Sequence, residues 1–336
     1  MKHSGKEETF MGKRQFDAAA IGELLLDCLV KGETDGHIMV EGNPGGAPCN
    51  VLAAMGRLGL STAFIGKIGK DAFGSYLCNK VSAAGVDVSG IVRGSDPTTL
   101  AMVSLDENGN RDFNFYRKQT ADVNLSWDEV DREILEDCRV FHFGTVSMTA
   151  EPVASATRKA VEYAKERGKL ISFDPNQRTV LWESGEAFKE AFEWGMSRAD
   201  FVKLSEEEQT FLTGIADPME GGREVMRRYG LRFLAVTLGA KGMVCFHRDL
   251  VHYGRSYAVD TKDTTGAGDS MWGAALAWIL KYTGDGSNMS AEQLKELVSY
   301  ANAAGSCCTK RYGAIPAMAD EAEIRDCMAN VPELVL

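Results

Sequence analysis

Residues 263–269 combine small residues with two carboxylates and lead directly into an apolar helical pattern at 270–278. The backbone N–H groups in the first turn of a helix, together with the helix dipole, form a site for anions. Glycine lets a phosphate approach the backbone closely, and this segment holds two glycines. An anion site beside a carboxylate that can take a proton is typical of phosphoryl transfer. For a bare G-x-G, a turn that only caps a helix is the commoner explanation.

The two carboxylates of this segment differ in position. Asp269 follows the glycines, so it can reach a hydroxyl group that approaches the anion site. Asp263 precedes the glycines and is expected to orient the loop or to bind a cation. The chain contains neither the G-x4-G-K-[ST] phosphate loop nor the H-R-D and D-F-G motifs of protein kinases. A kinase built on this chain therefore holds its phosphates with another loop.

Polar and glycine-containing segments also lie at the ends of several predicted strands. Ligands of parallel α/β sheets bind at the carboxyl ends of the strands, so these segments are candidate parts of one site. Each segment alone is also explained as a turn, a helix stop or a hairpin loop, but their joint occurrence favours a ligand site. The segments are Gly22-Glu23 with Asp27, Gly45-Gly46 with Asn50, Gly144, 174–178 and 237–242.

Four further residues each have two possible roles, one in binding or catalysis and one in the structure. Arg117 could hydrogen-bond a polyol or a developing phosphate, or it could be a solvated charge on a sheet. His142 lies in an apolar strand and is expected to be a core residue rather than a base. Trp182 and Trp194 are expected to pack in the core rather than to stack on a ligand.

The elements that must position these residues alternate along the chain. Strands are predicted at 16–22, 62–65, 140–143, 170–173, 201–202 and 233–238, with a hairpin at 243–246 and 250–253. Helices are predicted at 51–58, 71–84, 152–167, 187–196, 205–212, 267–281 and 291–309. Repeated βα units predict a mostly parallel sheet with helices on both faces.

The middle of the chain follows a different pattern. Residues 98–105 and 111–116 are β-rich, and Asn108-Gly109 between them is a hairpin signal. Residues 27–41 show no helical pattern. We therefore expect a small β-rich lid formed by about 27–42 and 95–120, inserted into one domain that spans 15–330.

Composition restricts the class of protein. The chain has 336 residues, of which 44% are hydrophobic and 25% charged, as in globular proteins. No apolar segment approaches the roughly 20 residues that span a membrane, and residues 1–14 are expected to be a disordered extension rather than a signal peptide. The net charge of −11 argues against nucleic acid or an anionic membrane as a partner, although not against a nucleotide.

Cysteine and histidine usage points to a cytoplasmic protein. None of the eight cysteines forms a C-x-x-C pair and most lie in apolar segments, so we expect them to be reduced core residues. The five histidines are scattered and form no metal-ligand cluster.

Together these features resemble the ribokinase-like (pfkB) family of sugar kinases over residues 16–320. The family signatures are carried by 45–51 with 57–59 and 65–74, and by 263–269 with its helix. Within the family the chain is most similar to the fructokinases. The supporting segments are 22–27, 115–117 with 120–122, 141–147, 174–178, 181–182 and 203–208.

The resemblance implies a three-layer α/β/α body with a β-sheet lid, and often a homodimer formed through the lids. It implies phosphorylation of a sugar's primary hydroxyl by ATP with Mg²⁺, with D-fructose, phosphorylated at its 6-hydroxyl, as the first substrate. Alternatives are 2-keto-3-deoxygluconate, ribose or a nucleoside as substrate, or a non-catalytic regulator that binds sugar or nucleotide. A Rossmann-type oxidoreductase is set aside because no G-x-G-x-x-G follows the first strand.

The resemblance also implies roles for individual residues. Asp269 matches the catalytic base, and the amides of Gly266, Ala267 and Gly268 match the anion hole. The positions that match sugar contacts are Asp27, Gly46, Asn50 and Arg117. The positions that match the nucleotide site are Thr237, Gly239, Gly242 and Gly268, with Asn302 on the helix that lines the adenine pocket.

Two cation sites are implied in the same way. Glu206 matches an acidic residue that acts through Mg²⁺ and water. Lys203 stands where many relatives have asparagine, and it could contact phosphate directly. The positions that match backbone-carbonyl ligands of K⁺ in relatives are Asp263, Thr265, Cys308, Arg311 and Gly313. Cys49 stands where many fructokinases have alanine, and lid residues vary among members of the family. The identity of the sugar is therefore not determined by the resemblance.

Overall fold

The computed structural model describes residues 15–105 and 111–335. The strands are β1 (Phe16–Ile21), β2 (Leu25–Thr34), β3 (His37–Gly45), β4 (Thr62–Gly69), β5 (Val86–Asp87), β6 (Ile91–Gly94), β7 (Leu100–Leu105), β8 (Arg111–Tyr116), β9 (Cys138–Gly144), β10 (Leu170–Asp174), β11 (Phe201–Ser205), β12 (Phe233–Thr237), β13 (Met243–His247) and β14 (Leu250–Gly254). The helices are α1 (Ala47–Arg57), α2 (Ala72–Ala83), α3 (Arg132–Asp137), α4 (Val153–Glu166), α5 (Gly185–Met196), α6 (Glu206–Thr213), α7 (Pro218–Tyr229), α8 (Ala267–Tyr282), α9 (Ala291–Cys308) and α10 (Glu321–Asn330).

The larger sheet has ten strands in the described part of the chain. Nine follow the order β14-β13-β12-β11-β10-β9-β1-β4-β5, and β6 pairs with β4. All pairs are parallel except β12 with β13 and β13 with β14. The central strands read as apolar runs because both of their faces are covered. The predicted parallel sheet is confirmed, and so is the predicted hairpin at its edge.

Two apolar clusters cover the two faces of this sheet. Helices α1, α2, α8, α9 and α10 pack on one face, where Ala18 and Ala20 of β1 point. Helices α3 to α7 pack on the other face, where the alternating residues Ala19 and Ile21 point. The fold therefore has the three layers, α/β/α, that the sequence predicts.

A second sheet has four strands in the order β3-β2-β7-β8. It coincides with the predicted β-rich region, but its strands cover only 25–34, 37–45, 100–105 and 111–116. The predicted turn at 107–110 lies outside the described residues, while β7 and β8 pair in the expected antiparallel way. We call this element the small sheet. The chain passes from β1 into β2 and β3 of the small sheet and then directly into the N-terminus of α1.

Three helices, α3, α7 and α10, were not expected from the sequence. In α7 the pair Gly221-Gly222 weakens the helical pattern, because glycine is a poor helix former. The structure explains the pair by close packing. A Cβ atom on Gly222 would lie 2.2 Å from the ring of Phe246, and one on Gly221 would lie 1.8 Å from the side chain of Gln209.

In the part of the chain described, no helix combines the length and apolar character needed to cross a membrane. All eight cysteines are free, and all except Cys78 are buried. The predicted disordered extension at 1–14 lies outside the described residues.

Candidate active site

Two cavities meet at the N-terminus of α8. The first, the small-sheet cavity, has a volume of about 320 Å³ and lies between the small sheet and the start of α1. The second, the α9 cavity, has a volume of about 380 Å³ and lies between the 237–243 segment and α9. Thr264 and Gly268 line both cavities. A ligand in one cavity can therefore touch a ligand in the other across this helix terminus.

The first turn of α8 is available to bind an anion. Gly266 is its N-cap residue, and no side chain caps the helix in the described structure. Gly266 has a φ of 74°, and a Cβ atom there would lie 2.5 Å from the Cβ atom of Ala314. Glycine is therefore required both by the backbone conformation and by the packing. An uncapped helix N-terminus fits a phosphoryl group.

Asp269 lies in this first turn and lines the small-sheet cavity. Its Oδ2 atom accepts a hydrogen bond of 2.8 Å from the side-chain amide of Asn50. Burial raises the pKa of Asp269, and the carboxylate of Asp174 raises it further, while Lys203 lowers it. A carboxylate with a raised pKa accepts a proton more readily, which suits a general base.

The start of α1 places further sugar-site candidates in the small-sheet cavity. Asp27, Gly46 and Asn50 all line it. The Oδ1 atom of Asn50 is buried without a hydrogen-bond partner, so it can accept a bond from a ligand hydroxyl. Gly46 has a φ of 129°, and a Cβ atom there would lie 2.2 Å from the backbone oxygen of Glu23. A Cβ atom on Gly45 would lie 2.0 Å from the Asp27 carboxylate.

Glu23 is a buried carboxylate in the same cavity wall. It accepts a hydrogen bond of 2.9 Å from the N–H group of Ala47, at the start of α1. Burial raises the pKa of Glu23 to about 7, although the nearby Arg117 lowers it. The sequence places Gly22-Glu23 among the segments that could form one ligand site, and Glu23 lines this cavity, but no local pattern shows that its carboxylate is buried.

Lys203 lies in the wall of the small-sheet cavity next to α8. Its Nζ atom is 2.9 Å from Oδ2 of Asp174, and both side chains are buried. Burial lowers the pKa of Lys203, but the carboxylates of Asp174, Glu208 and Asp269 leave it above its ordinary value. Lys203 therefore carries a positive charge close to the anion site.

The structure does not bring Glu206 to this site. Glu206 is the first residue of α6, is half-buried and is not among the described residues that line either cavity. The buried carboxylate of this segment is Glu208, which interacts electrostatically with Lys203. Ser205 and Glu208 form a capping box, which turns the Glu208 side chain back toward the N-cap. The S-x-x-E spacing in the sequence is the signal that could have identified it.

Arg117 is buried, which excludes the reading as a solvated charge. Its Nε atom donates to Asp122 over 2.6 Å, and its Nη1 atom donates to Thr149 over 2.6 Å. Its Nη2 atom is buried without a partner in the described structure. Arg117 is not among the residues that line the small-sheet cavity, whereas Phe115, two residues earlier, lines it.

The strand-end segment 174–178, a candidate part of the site from the sequence, reaches the small-sheet cavity through Asn176 and Arg178. Leu25 and Val146 also line this cavity. His142 behaves as predicted. It is buried, its Nδ1 atom lies 2.9 Å from the Ser172 hydroxyl, and burial lowers its pKa to about 4. Trp194 is half-buried and packs edge-on against Phe143 at the edge of the core.

Four of the residues expected to bind a nucleotide lie outside α8, and all four line the α9 cavity. They are Thr237, Gly239, Gly242 and Asn302. The Nδ2 atom of Asn302 donates to the backbone oxygen of Gly254 over 3.0 Å, which connects α9 to β14. The wall also contains apolar and aromatic side chains suited to a planar base. These are Met243, Tyr257, Val259 and Met271.

Asp263 forms hydrogen bonds within the loop before α8, as expected for the first of its two predicted roles. Its Oδ1 atom accepts bonds of 2.8 Å from the Thr265 N–H group and 2.7 Å from its hydroxyl. Its Oδ2 atom accepts a bond of 2.9 Å from the N–H group of Gly313. The thiol of Cys308 donates to the backbone oxygen of Thr265 over 3.7 Å. The Arg311 side chain, in contrast, forms an ion pair with Glu323.

No group of three or more histidine, cysteine, aspartate or glutamate side chains among the described residues could hold a metal ion.

Comparison with known proteins identifies the family. The sequence profile described as pfkB family carbohydrate kinase matches residues 17–321. The chain belongs to the pfkB family of carbohydrate kinases. This confirms the family predicted from residues 45–51 and 263–269.

This carbohydrate kinase is 42% identical to fructokinase-1 from Zea mays over 283 residues, which are 84% of this chain and 87% of the relative. A fructokinase from Xylella fastidiosa with bound ATP has a TM-score of 0.85 at 30% identity, covering 93% and 98% of the two chains. A double mutant of fructokinase from Vibrio cholerae, with fructose, ADP and potassium bound, has a TM-score of 0.81 at 29% identity, covering 94% and 99%. The predicted ribokinase-like fold is confirmed.

Proposed function

We propose that this carbohydrate kinase is an ATP-dependent fructokinase, which transfers the γ-phosphoryl group of ATP to the 6-hydroxyl of D-fructose. One observation carries the proposal. The uncapped N-terminus of α8 lines both cavities, and Asp269 lies on the small-sheet side of it. The names of relatives such as fructokinase-1 of Zea mays support fructose as the sugar.

Fructose occupies the small-sheet cavity in this proposal. Asp27 and the Gly46 backbone contact the sugar hydroxyls, and the unpartnered Oδ1 atom of Asn50 accepts a bond from one of them. The small sheet acts as a lid that excludes water from the cavity. Arg117 contacts the sugar through its unpartnered Nη2 group when the lid closes.

The nucleotide occupies the α9 cavity, with its base toward Asn302 and its phosphates toward Gly268. Thr237, Gly239 and Gly242 contact the nucleotide along the loop after β12. The γ-phosphoryl group then lies at the residues shared by the two cavities. Lys203 contacts this group with its positive charge.

The transfer begins when Asp269 accepts the proton of the 6-hydroxyl group. The hydroxyl oxygen attacks the γ-phosphorus, and the bond from phosphorus to the β,γ-bridging oxygen breaks. The N–H groups of the Gly266–Gly268 turn stabilise the negative charge on the transferred group. Mg²⁺, when bound with ATP, neutralises phosphate charge. Glu206 and Glu208 both lie outside the described linings of the two cavities, so either would act on Mg²⁺ only through water; Glu208 is the one that lies beside Lys203.

A potassium ion is the second cation in the proposal. Asp263 connects the backbone at Thr265 with that at Gly313, and Cys308 contacts Thr265 as well. The backbone carbonyls of this loop, with those of Asp263, Cys308 and Arg311, are the proposed ligands. The ion would hold the loop that precedes the anion site. The fructokinase from Vibrio cholerae was solved with potassium, which supports this assignment.

We further propose a homodimer formed through the small sheets. The outer ends of β2 and β3 expose apolar side chains, and Ile38 is 73% exposed. The other exposed apolar residues there are Val30, Met39 and Val40. Replacing Ile38 and Val40 with aspartate should convert a dimer to a monomer in light-scattering measurements. The eight free cysteines support a reducing, cytoplasmic setting for the enzyme.

One assay tests the proposed activity. ADP release is measured with fructose, glucose, mannose, ribose, 2-keto-3-deoxygluconate and adenosine, each with potassium chloride or with choline chloride. We expect turnover with fructose, and faster turnover with potassium. Turnover on ribose or 2-keto-3-deoxygluconate instead would reassign the sugar cavity. No turnover on any of them would favour a binding regulator.

A further inference from the structure

The segment 331–334 is fixed along residues 256–258. The N–H group of Leu334 donates to the backbone oxygen of Ser256 over 2.7 Å. The N–H group of Ala258 donates to the backbone oxygen of Pro332 over 2.9 Å, and Tyr257 and Glu333 form an antiparallel bridge. Main-chain hydrogen bonds on both sides of Glu333 hold this segment in register, so its side chains have defined positions.

The segment presents one apolar side chain to the α9 cavity. Leu334 is half-buried and lines this cavity, whereas the next residue, Val335, is 76% exposed. Ser256, to which Leu334 is bonded, donates its hydroxyl to the backbone oxygen of Ala240. Both Ser256 and Ala240 line the α9 cavity and are not among the residues that line the small-sheet cavity.

We propose that Leu334 is a nucleotide-binding residue, whose side chain forms an apolar wall against the base of ATP. The inference rests on the proposed assignment of the α9 cavity to the nucleotide. The phosphates lie at Thr264 and Gly268, the residues that this cavity shares with the small-sheet cavity. Leu334 is anchored at Ser256 instead, among residues of the α9 cavity alone, so the base is the part of the nucleotide that reaches it.

The chemistry of the wall agrees with this position. A planar base gains affinity when its faces leave water and contact apolar side chains. Val259, Met243 and Met271 supply such surface from the body of the protein, and Leu334 adds surface from residues 331–334. Leu334 is not among the described residues that line the small-sheet cavity, so its contact should affect ATP affinity and leave fructose binding unchanged.

The test compares Leu334→Ala, Leu334→Asp and Leu334→Met with the neighbouring control Val335→Ala, all in the full chain. The dissociation constant of ATP is measured by calorimetry without sugar, together with the KM values for ATP and fructose. We expect Leu334→Ala to weaken ATP binding about tenfold, as for the loss of an apolar contact. Leu334→Asp should weaken it further, while Leu334→Met and Val335→Ala should bind ATP as the unchanged protein does.

A second variant separates this inference from the assignment of the cavity. Ala240 is an exposed residue of the cavity wall, and Ala240→Asp places a carboxylate there against the anionic nucleotide. If Ala240→Asp weakens ATP binding and Leu334→Ala does not, the inference about Leu334 is overturned while the cavity keeps its assignment. If neither variant weakens ATP binding, the cavity does not hold the nucleotide and both proposals fail. A rise in the KM for fructose equal to that for ATP would also overturn the inference.

Discussion

The side-chain amide of Asn50 donates a hydrogen bond of 2.8 Å to the carboxylate of Asp269, and this contact joins residues 219 positions apart in the sequence. It connects the first turn of α1 with the first turn of α8. The small sheet leads into α1, so the candidate base is positioned by the same element that carries the sugar-site glycines. One residue thus couples the small-sheet cavity to the residue that is proposed to receive the proton.

Replacing Asp269 with asparagine removes the proposed proton acceptor but keeps a side chain of the same shape. We expect turnover with fructose to fall by roughly 10²–10⁴, the usual contribution of a general base. The dissociation constant of ATP, measured without sugar, should change little. Turnover close to that of the unchanged protein would remove Asp269 from the mechanism.

Replacing Asn50 with alanine removes both the bond to Asp269 and the unpartnered acceptor in the cavity. We expect kcat/KM for fructose to fall by about 10- to 100-fold, corresponding to one or two lost hydrogen bonds. The adjacent substitution Cys49→Ala is the matched control, because Cys49 is fully buried but is not among the residues that line the cavity. Equal losses in the two variants would mean that Asn50 acts only through packing.

Replacing Lys203 with methionine leaves Asp174 and Glu208 buried without their counter-charge. We expect the free energy of unfolding, from urea titration, to fall by about 3–5 kcal/mol. Arg198→Met is the control, because it breaks a half-exposed ion pair with Glu162 and should cost less than about 1 kcal/mol. A loss for Lys203→Met no larger than that of the control would contradict a stabilising role for the buried pair.

Glu23 should make the stability of the protein depend on pH. Burial raises its pKa from 4.5 to about 7. Between these values the unfolded chain is ionised while the folded protein retains the proton, so the free energy of unfolding should fall as pH rises. Above about pH 7 both states are ionised and this dependence ends. Arg117, Asp122 and Cys49 are the charged and titratable neighbours of Glu23.

The variant Glu23→Gln cannot titrate and should lose this part of the pH dependence. Urea unfolding at several pH values from 4 to 8 provides the measurement. Outside the interval from pH 4.5 to about 7, the free energies of unfolding of the two proteins should change with pH in parallel. Within it, that of the unchanged protein should fall relative to that of the variant as pH rises. Parallel curves throughout would show that Glu23 has an ordinary pKa in the folded protein.

Some elements are predictable from the sequence and others are not. The start of α8 is predictable because glycines, a carboxylate and an apolar run at residues 263–269 specify it locally. Helix α7 is not, because Gly221 and Gly222 are required by Phe246 and Gln209, which are close to them only in space. Local sequence patterns likewise do not show which polar side chains are buried in the folded protein.

The same limit applies to the site residues. The resemblance matches Glu206 to the acidic residue that acts through Mg²⁺, while the structure buries Glu208, two positions later, beside Lys203. The sequence left Arg117 as either a ligand contact or a solvated charge, and its buried ion pair with Asp122 excludes the second interpretation. Arg117 also donates to Thr149, 32 positions away, and Glu208 accepts a bond from the N–H group of Gln177, 31 positions away. The placement of both side chains therefore depends on segments that are distant in the sequence.

The two residues shared by the cavities, Thr264 and Gly268, also have a consequence for the kinetic mechanism of phosphoryl transfer. In the proposed arrangement ATP and fructose lie on opposite sides of one helix terminus, so the γ-phosphoryl group passes directly from ATP to the sugar. No enzyme-bound phosphate ester is required, so initial-rate plots should intersect rather than run parallel. A γ-phosphate made chiral with oxygen isotopes should therefore reach the sugar with its configuration inverted.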